Sequence, residues 1–547
     1  MKIKSVKILG DNFRSLAANK LYEFNVSFRE DRLSTKVFAG LNGSGKSNFL
    51  ELFSEIFYFL EIYHLDTVSD EEKKSKNFGF EIEYFLPVKS SVVKINEVEA
   101  SFTYDQQIKI VKLLGEKPEF SIITIGNSTF ERVDENTHLL LPKKIIAYTS
   151  GQNELLSNPY YKLKYHYFKV FENIKKFEKG EEFAESHRLF FLDYNANFSI
   201  FISNMLLGDE KKIDLLKKIL HIEKLKSFRI TINTDDIYKK VLPVSETITE
   251  NIEKLKLCSS TWIEKKVGKF NLLIFDFSID SSTREAFAYY FKNSFTLFKV
   301  FYELEIFNLY LVDPTTRRQM LNPNMSLNIS DEMPKPNPSR LVFRIEKIVI
   351  SKIIDTEIEK DIYYKSLSDG EHQFNEVIGT VMMMQDDGCL FLMDEPDTHF
   401  NPKWRAKFIK TLNLAAANSY DSFGNIIKVR NQELILTTHS PFVISDSFSQ
   451  DVYKFEKEKG LIEYTNPDFQ VYGASISIIL DEIFEKSEGI SEMARKELKD
   501  MVENIHSMDD LRKVVERLNK DFGDSVEKFD LFSKLRNIKV ELEKKEK

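Results

Sequence analysis

The octapeptide Gly40-Leu41-Asn42-Gly43-Ser44-Gly45-Lys46-Ser47 constrains this chain more than any other stretch, because a G-x-x-x-x-G-K-S run has its chemistry only between a strand and a helix. Both flanks agree. Lys36-Val37-Phe38-Ala39 reads as a short buried strand, and Phe49, Leu50, Leu52, Phe53, Ile56 and Phe57 recur at helical spacing. Three glycines remove Cβ atoms that would hold backbone N–H groups away from phosphates, and the helix N-terminus adds a dipole that favours negative charge. The stretch therefore predicts a nucleoside triphosphate site, ATP with Mg²⁺, lined by Asn42, Gly43, Ser44, Gly45, Lys46, Ser47 and Asn48. Lys46 is expected to face the β- and γ-phosphates and Ser47 the metal.

Two acids and a histidine at strand ends extend the pattern. Cys389-Leu390-Phe391-Leu392-Met393-Asp394-Glu395-Pro396 is an apolar strand closing on two carboxylates. Asp394 is expected to hold Mg²⁺, and Glu395, pointing differently, to accept a proton from the attacking water. Leu434-Ile435-Leu436-Thr437-Thr438-His439 puts one histidine at the end of another strand. Between loop and acids, Ser366-Leu367-Ser368-Asp369-Gly370-Glu371-His372-Gln373 reads as a helix start, with Ser368 and Asp369 as cap residues and Phe374, Val377, Ile378 and Val381 as the apolar face.

At 547 residues and 42% hydrophobic content, three or four domain-sized units are expected. No run of eighteen apolar residues occurs, and Met1-Lys2-Ile3-Lys4-Ser5-Val6 alternates like a strand instead of forming a signal peptide's core, so a cytoplasmic protein with no membrane span is expected. Two cysteines, Cys258 and Cys389, cannot build a disulfide framework, and no Cys/His group has zinc spacing. A net charge of −8 argues against a surface coated for nucleic acid, although a local basic groove is compatible with it.

Along the chain, residues 1–154 read as a first lobe. Strand patterns lead to the phosphate loop, and an antiparallel β subdomain from about 78 to 148 ends in Ile145-Ile146-Ala147-Tyr148. Residues 155–340 read as a helical insertion, with Ile213, Leu216, Ile219 and Leu220, then Phe287, Tyr290, Phe291, Phe295, Phe298 and Tyr302 at helical spacing. It carries the basic cluster Lys211, Lys212, Lys217, Lys218, Lys224, Lys226 and Arg229, either a solvated face or a nucleic-acid groove. A Pro-rich linker from Pro323 to Pro338 returns to a second lobe, 341–466, with a hairpin at 451–465. Residues 467–547 read as a charged helical segment.

Taken in order, these motifs resemble an ABC-type ATPase of the SMC/RecF branch: an α/β P-loop core in two discontinuous lobes, with a large helical insertion and a helical C-terminal segment. The resemblance implies that Asn12-Phe13-Arg14-Ser15 brings Arg14 near the nucleotide, and that Gln152, on the loop after Tyr148, touches Mg²⁺ and the attacking water. It makes Leu367-Ser368-Asp369-Gly370-Glu371 a signature whose Ser368 and Gly370 bind the γ-phosphate on a second subunit, hence a homodimer or higher oligomer. It also makes Asp397 to Pro402 a dimer-crossing D-loop, with Asn401 where an aspartate is common, and His439 the switch histidine.

A closer resemblance, to the restriction-system-associated AAA-family ATPases, the ATPase subunit of Septu anti-phage systems, rests on Gly40 to Asn48 with Ile56-Phe57 and Leu60-Glu61 after it, and on three further stretches: Ile145 to Gly151, Arg188-Leu189-Phe190-Phe191-Leu192-Asp193-Tyr194-Asn195-Ala196-Asn197, and Leu367 to Phe374. It implies a separate HNH nuclease subunit as partner and, for some members, a retron operon with its RNA–DNA. A DNA-repair ATPase like RecF shares all the motifs. A self-contained nuclease of the OLD type is disfavoured. Only about a hundred residues follow His439, and the acid pair Asp509-Asp510 among them lies in a helical pattern and not at a strand end.

Overall fold

The computed structural model describes the chain apart from residues 66–67, 75–77, 88–93, 96–97, 100–104, 124–128, 152–153, 173–186, 235–245, 269, 321–328, 330–336, 355–357, 486–489, 504 and 546–547. Gln152 and most of the Pro-rich linker fall among the latter. Two compact units are present, Met1–Phe469 and Gln470–Lys547.

In the first unit a central sheet has seven strands in the order Leu189–Leu192, Ile145–Thr149, Leu390–Asp394, Glu433–Thr437, Ser34–Gly40, Val452–Glu458, Leu461–Thr465. Six run parallel, and the last closes the edge as the antiparallel arm of a hairpin. Its turn is Lys459-Gly460, both at positive φ (50° and 86°), as a two-residue hairpin turn requires. The central strands are buried along their whole length, which accounts for their uninterrupted apolar runs. Parallel strands aligned this way bring the chain after Gly40, Thr149, Asp394 and Thr437 to one edge, where ligands bind in open α/β sheets.

An antiparallel six-stranded sheet joins Lys2–Leu9 and Leu21–Glu23 to Gly79–Leu86, Gln106–Lys112, Glu119–Ile123 and Glu131–Val133. Ile145–Thr149, expected to end this subdomain, instead enters the parallel sheet. A strand buried on both faces and one buried on a single face look alike over five apolar residues.

The stretch 155–340, expected to be helical, is mixed. Leu189–Leu192 forms an edge of the central sheet, and Ile222–Asn233, Thr261–Val267 and Phe270–Ser278 join Phe343–Ile354 and Ile358–Tyr363 in a third, antiparallel sheet. The helix Glu210–Leu220 stops at His221 in a left-handed conformation, φ +55°, and the chain turns directly into strand. In Ile222–Asn233 the buried Phe228, Ile230 and Ile232 alternate as a strand should, a pattern overshadowed by the lysines. Those cations are neutralised: Lys224 pairs with Glu359, Lys226 with Asp361, and Arg229 chelates Asp276 through two hydrogen bonds. Phe287 to Tyr302 spans two helices, Ser281–Phe291 and Ser294–Ile306, parted at Lys292 (φ +62°) and capped anew by Asn293.

The second unit holds the helices Ile476–Phe484, Glu492–Glu503, Met508–Asp521 and Val526–Lys545, with a small core of Leu498, Met501, Leu518, Leu531 and Leu535. No helix among the described residues is long and apolar enough to cross a membrane.

One buried ion pair ties two sheets together. Glu433 and Lys36 are in contact on adjacent parallel strands, at 0% and 1% exposure. The Glu433 carboxylate also accepts from Ile3 N–H at 2.6 Å, in the N-terminal strand, and from Ser34 Oγ at 3.2 Å. Lys36→Met would strand the buried carboxylate without its cation, a loss of about 3–5 kcal/mol. Urea unfolding should show that loss, and pairing Lys36→Met with Glu433→Leu should recover much of it. A single mutant as stable as wild type would refute the pair's structural role.

Candidate nucleotide site

Four neighbouring strands deliver the motifs to one edge. The loop after Ser34–Gly40 wraps back into the helix Lys46–Tyr63, whose N-cap Gly45 is left-handed at φ +92°. An aromatic cluster supports the loop from beneath: Phe38 packs on Phe455 at 4.8 Å between ring centroids, and Phe49 on Phe455 and Tyr464 at 5.6 and 5.9 Å.

The glycines are needed for more than phosphate access. A Cβ on Gly40 would lie 2.4 Å from Phe455 O, and one on Gly45 would lie 2.3 Å from Ile462 Cδ1, so both are glycine because the edge hairpin packs against the loop. Gly43 alone of the three has open space where a Cβ would stand, at φ +77°.

Lys46 is buried, and its Nζ donates to Gly40 O (3.1 Å) and Leu41 O (3.0 Å). Burial lowers its pKa, while Glu395 and Asp394 oppose the shift. Ser47 Oγ donates to Asp394 Oδ1 at 2.8 Å, and Thr437 Oγ1 donates to the same oxygen at 2.6 Å. Asn42 is exposed in the loop, Asn48 lies in the first helical turn, and Ser44 Oγ is buried with no hydrogen-bond partner. An unsatisfied hydroxyl, a lysine held by backbone carbonyls and an open Gly43 are what a phosphate chain would complete. A hydroxyl against a carboxylate suits Mg²⁺, which takes few protein ligands beside phosphate oxygens and water.

Glu395 has φ +51°, a strained value for a side chain with a Cβ. Its N–H donates to Thr437 Oγ1 at 3.0 Å, fixing the bend. The bend separates the two acids: Asp394 meets Ser47, whereas the Glu395 carboxylate stands 3.4 Å from His439 Nε2 and accepts from Thr398 Oγ1 at 3.3 Å. Hydrogen bonding to His439 is the largest influence on Glu395 and holds its carboxyl below the usual carboxylate range, against the cost of burial. Both side chains remain about one-third exposed, so a small reactant can reach them.

Ser368 caps the helix Asp369–Met383 in a reciprocal box with Glu371, whose carboxylate accepts from Ser368 N–H at 2.8 Å. Gly370 is a contact glycine, since a Cβ there would lie 2.7 Å from His399 O. Among the described residues neither Ser368 nor Gly370 is hydrogen-bonded to the phosphate loop of its own chain. Arg14, left-handed at φ +56°, pairs with Glu51 of the loop helix at 3.2 Å. Burial pushes the Glu51 carboxyl up to about 7 despite that arginine. Asn401 caps the short helix Pro402–Arg405 through Trp404 N–H at 2.9 Å, work that an aspartate would do equally.

Three side chains were missed from sequence. Thr437 grips Asp394 and Glu395 together, and Thr438 Oγ1 donates to Asp397 Oδ1 at 3.0 Å. Gln373 Nε2 donates to Tyr148 Oη at 3.0 Å while its Oε1 accepts from His399 N–H at 2.9 Å, joining the capped helix to the strand Ile145–Thr149 and to the turn after Asp394-Glu395. The only available signal for Gln373 was its place, one turn into that helix.

The family model described as "AAA domain, putative AbiEii toxin, Type IV TA system" matches residues 37–445, about three quarters of the chain, from the phosphate-loop strand past His439. The chain belongs to that family. Its AAA domain is therefore the discontinuous α/β P-loop ATPase core expected from the motifs. Protein ea59 of Escherichia phage lambda is 24% identical over 134 residues, which are 24% of this chain and 23% of that protein. The chain thus spans about a quarter of the length of this curated relative. Among solved structures, an Smc head bound to the C-terminal winged-helix domain of ScpA aligns at 11% identity and TM-score 0.33, over 85% of this chain and 98% of that one. An Smc head with a coiled coil and joint from Pyrococcus yayanosii aligns at 11% and TM-score 0.29, over 85% and 97%.

Proposed function

We propose that the chain binds ATP with Mg²⁺, hydrolyses it between two copies, and thereby controls a separate HNH nuclease subunit in a Septu-like anti-phage complex. The observation that carries the ATPase part is the split of the adjacent acids, Asp394 turned to Ser47 and Glu395 turned to His439. Ser47 and Asp394 would hold Mg²⁺, which neutralises charge on the β- and γ-phosphates. Lys46 and the loop N–H groups bind the phosphates, Glu395 takes the proton of the attacking water, and His439 orients that carboxylate and meets the γ-phosphate. Arg14 and Gln152 complete the pocket by resemblance.

Hydrolysis across a dimer is supported by the exposed helix start at Ser368, which among the described residues makes no hydrogen bond to the phosphate loop of its own chain and offers a helix dipole to another. The nuclease role rests on the resemblance to Septu ATPases, and the family description names a toxin of a toxin–antitoxin system. We assign nuclease docking to residues 467–547, of which Gln470–Lys547 form a unit with a core of their own. The paired state of Lys224, Lys226 and Arg229 gives a DNA-repair reading no added support.

The test is Ser368→Arg. The bulky cation should leave ATP affinity intact and reduce turnover at least a hundredfold, while the specific activity of wild type should rise with protein concentration. Normal, concentration-independent turnover by the mutant would refute catalysis across a dimer. The full chain alone should cut neither DNA nor RNA with Mg²⁺, and cleavage by it would end the nuclease-partner reading.

A further inference from the structure

Beside the signature helix Asp369–Met383 the chain leaves a half-open cavity of about 760 Å³ that the ATPase chemistry does not use. Its floor is the strand Phe343–Ile354. Its walls are the start of the helix Tyr194–Leu207, the end of the helix Ser294–Ile306, and the turn that leads into the signature. A bulge shapes the floor: Lys347 is left-handed at φ +55°, and the register with Ile222–Asn233 slips beside it, which returns Ile348 to the face of Phe343 and Ile345.

The two ends differ in chemistry. Asn308 exchanges two hydrogen bonds with the backbone of Phe343 (3.0 and 3.2 Å), so it and Glu305 stand at the Phe343 end. Tyr363 pairs with Val349 on an antiparallel strand, so Tyr363 stands beyond Ile348 while Lys365 turns back toward Lys347, roughly 13 Å from Phe343 at about 3.3 Å per residue. Between them Phe198 and Phe343 supply apolar lining, and Tyr194 and Tyr363 line the groove at 55% and 61% exposure. At the first end Glu305 accepts from Asn195 Nδ2 at 3.1 Å, and burial with the nearby Asp193 pushes its carboxyl up to about 7. At the other end Lys347 and Lys365 are exposed.

We propose that this groove is a second ligand site, built for a guanine nucleotide, and that its occupancy is read by the signature helix. A flat base fits between aromatic faces, two adjacent N–H groups on its edge match the Glu305 carboxylate, and a phosphate some 10 Å or more along the ligand meets the lysines. Guanine is the base that offers a carboxylate such an edge. The link to the signature is Asn197, one residue before Phe198 and buried. Its Nδ2 donates to His372 O at 2.7 Å, and its Oδ1 accepts from Tyr364 Oη at 2.6 Å and from Asn375 Nδ2 at 3.2 Å. Tyr364 lies between Tyr363 and Lys365 of the groove, while His372 and Asn375 lie in the signature helix. A shift of either wall therefore reaches that helix through Asn197, beside the direct packing of Tyr364 on His372 at 4.9 Å and the bond from Asn204 Nδ2 to Gly379 O at 2.8 Å.

Binding is measured by calorimetry on the full chain carrying Lys46→Ala, which disables the ATP site, with GMP and AMP as probes. GMP should bind saturably at one per chain, AMP at least tenfold more weakly, and Glu305→Ala or Lys365→Ala should each weaken GMP at least tenfold. Absence of GMP binding, equal binding of AMP, or unchanged affinity in both variants overturns the site. The coupling half rests on the ATPase reading, and the binding half does not, so their failures are distinguishable. In the otherwise wild-type chain GMP should change the ATP turnover rate at least threefold. Tyr364→Phe, which removes one hydroxyl, should keep GMP binding and lose that change. A turnover rate indifferent to bound GMP, or a response retained in Tyr364→Phe, overturns the relay.

Discussion

Glu395→Gln is expected to bind ATP as wild type does and to lose turnover by about 10²–10⁴-fold, the span that a positioned general base contributes. The amide has nearly the carboxylate's shape, so the bend at φ +51° and the N–H bond to Thr437 should persist and the melting temperature should stay close to wild type. What disappears is the proton acceptor beside His439, 3.4 Å away. Single-turnover measurements with excess enzyme separate the two effects, since binding saturates normally while phosphate release stalls. Wild-type hydrolysis by this variant would remove Glu395 from the chemistry. The pH dependence follows with a definite sign. His439 holds the folded carboxyl below its unfolded value, so this contribution to stability is fully present above about pH 4.5 and is lost as the pH falls through the lower folded value. Turnover limited by Glu395 ionisation should likewise fail only on that acid side.

The strand ends were legible because each motif is both a local pattern and a chemical one. Gly40 to Ser47, Asp394-Glu395 and His439 sit where apolar runs stop, and parallel pairing brings such stops to one edge. The reasons behind some residues were not legible. Gly40 and Gly45 answer to Phe455 O and Ile462, which are more than four hundred residues away in sequence, and no local pattern carries that contact. The same holds for Thr437, whose hydroxyl looks like ordinary strand content until Asp394 is placed beside it. In the third sheet Phe343–Ile354 and Ile358–Tyr363 read as strands, whereas Ile222–Asn233 was hidden for a different reason: it alternates apolar residues with cations that pair across neighbours, so the charge run in Lys224 to Arg229 masked the period of two.

Lys46→Ala should abolish measurable ATP binding while leaving the fold intact. In the structure the ammonium is committed to two backbone carbonyls at the head of the loop, so its removal costs the protein about two ordinary hydrogen bonds, each about 0.5–1.5 kcal/mol. The loss to the nucleotide is larger. Burial disfavours the charged form of Lys46 while Glu395 and Asp394 oppose that shift, and the net lowering marks a cation held at a cost that phosphate oxygens would offset. Charge-assisted hydrogen bonds are worth about 1.5–3 kcal/mol each, and two phosphates reached together correspond to a loss in affinity of roughly 10²-fold or more. Lys46→Arg should not rescue it, because a planar fork cannot occupy a slot closed by Gly40 O and Leu41 O on one side and the helix on the other. Titration of both variants against wild type, with circular dichroism to verify folding, decides the matter. Unchanged affinity in a folded Lys46→Ala protein would mean that the loop does not hold the triphosphate, and the roles given to Ser47, Asp394 and Glu395 would fall with it.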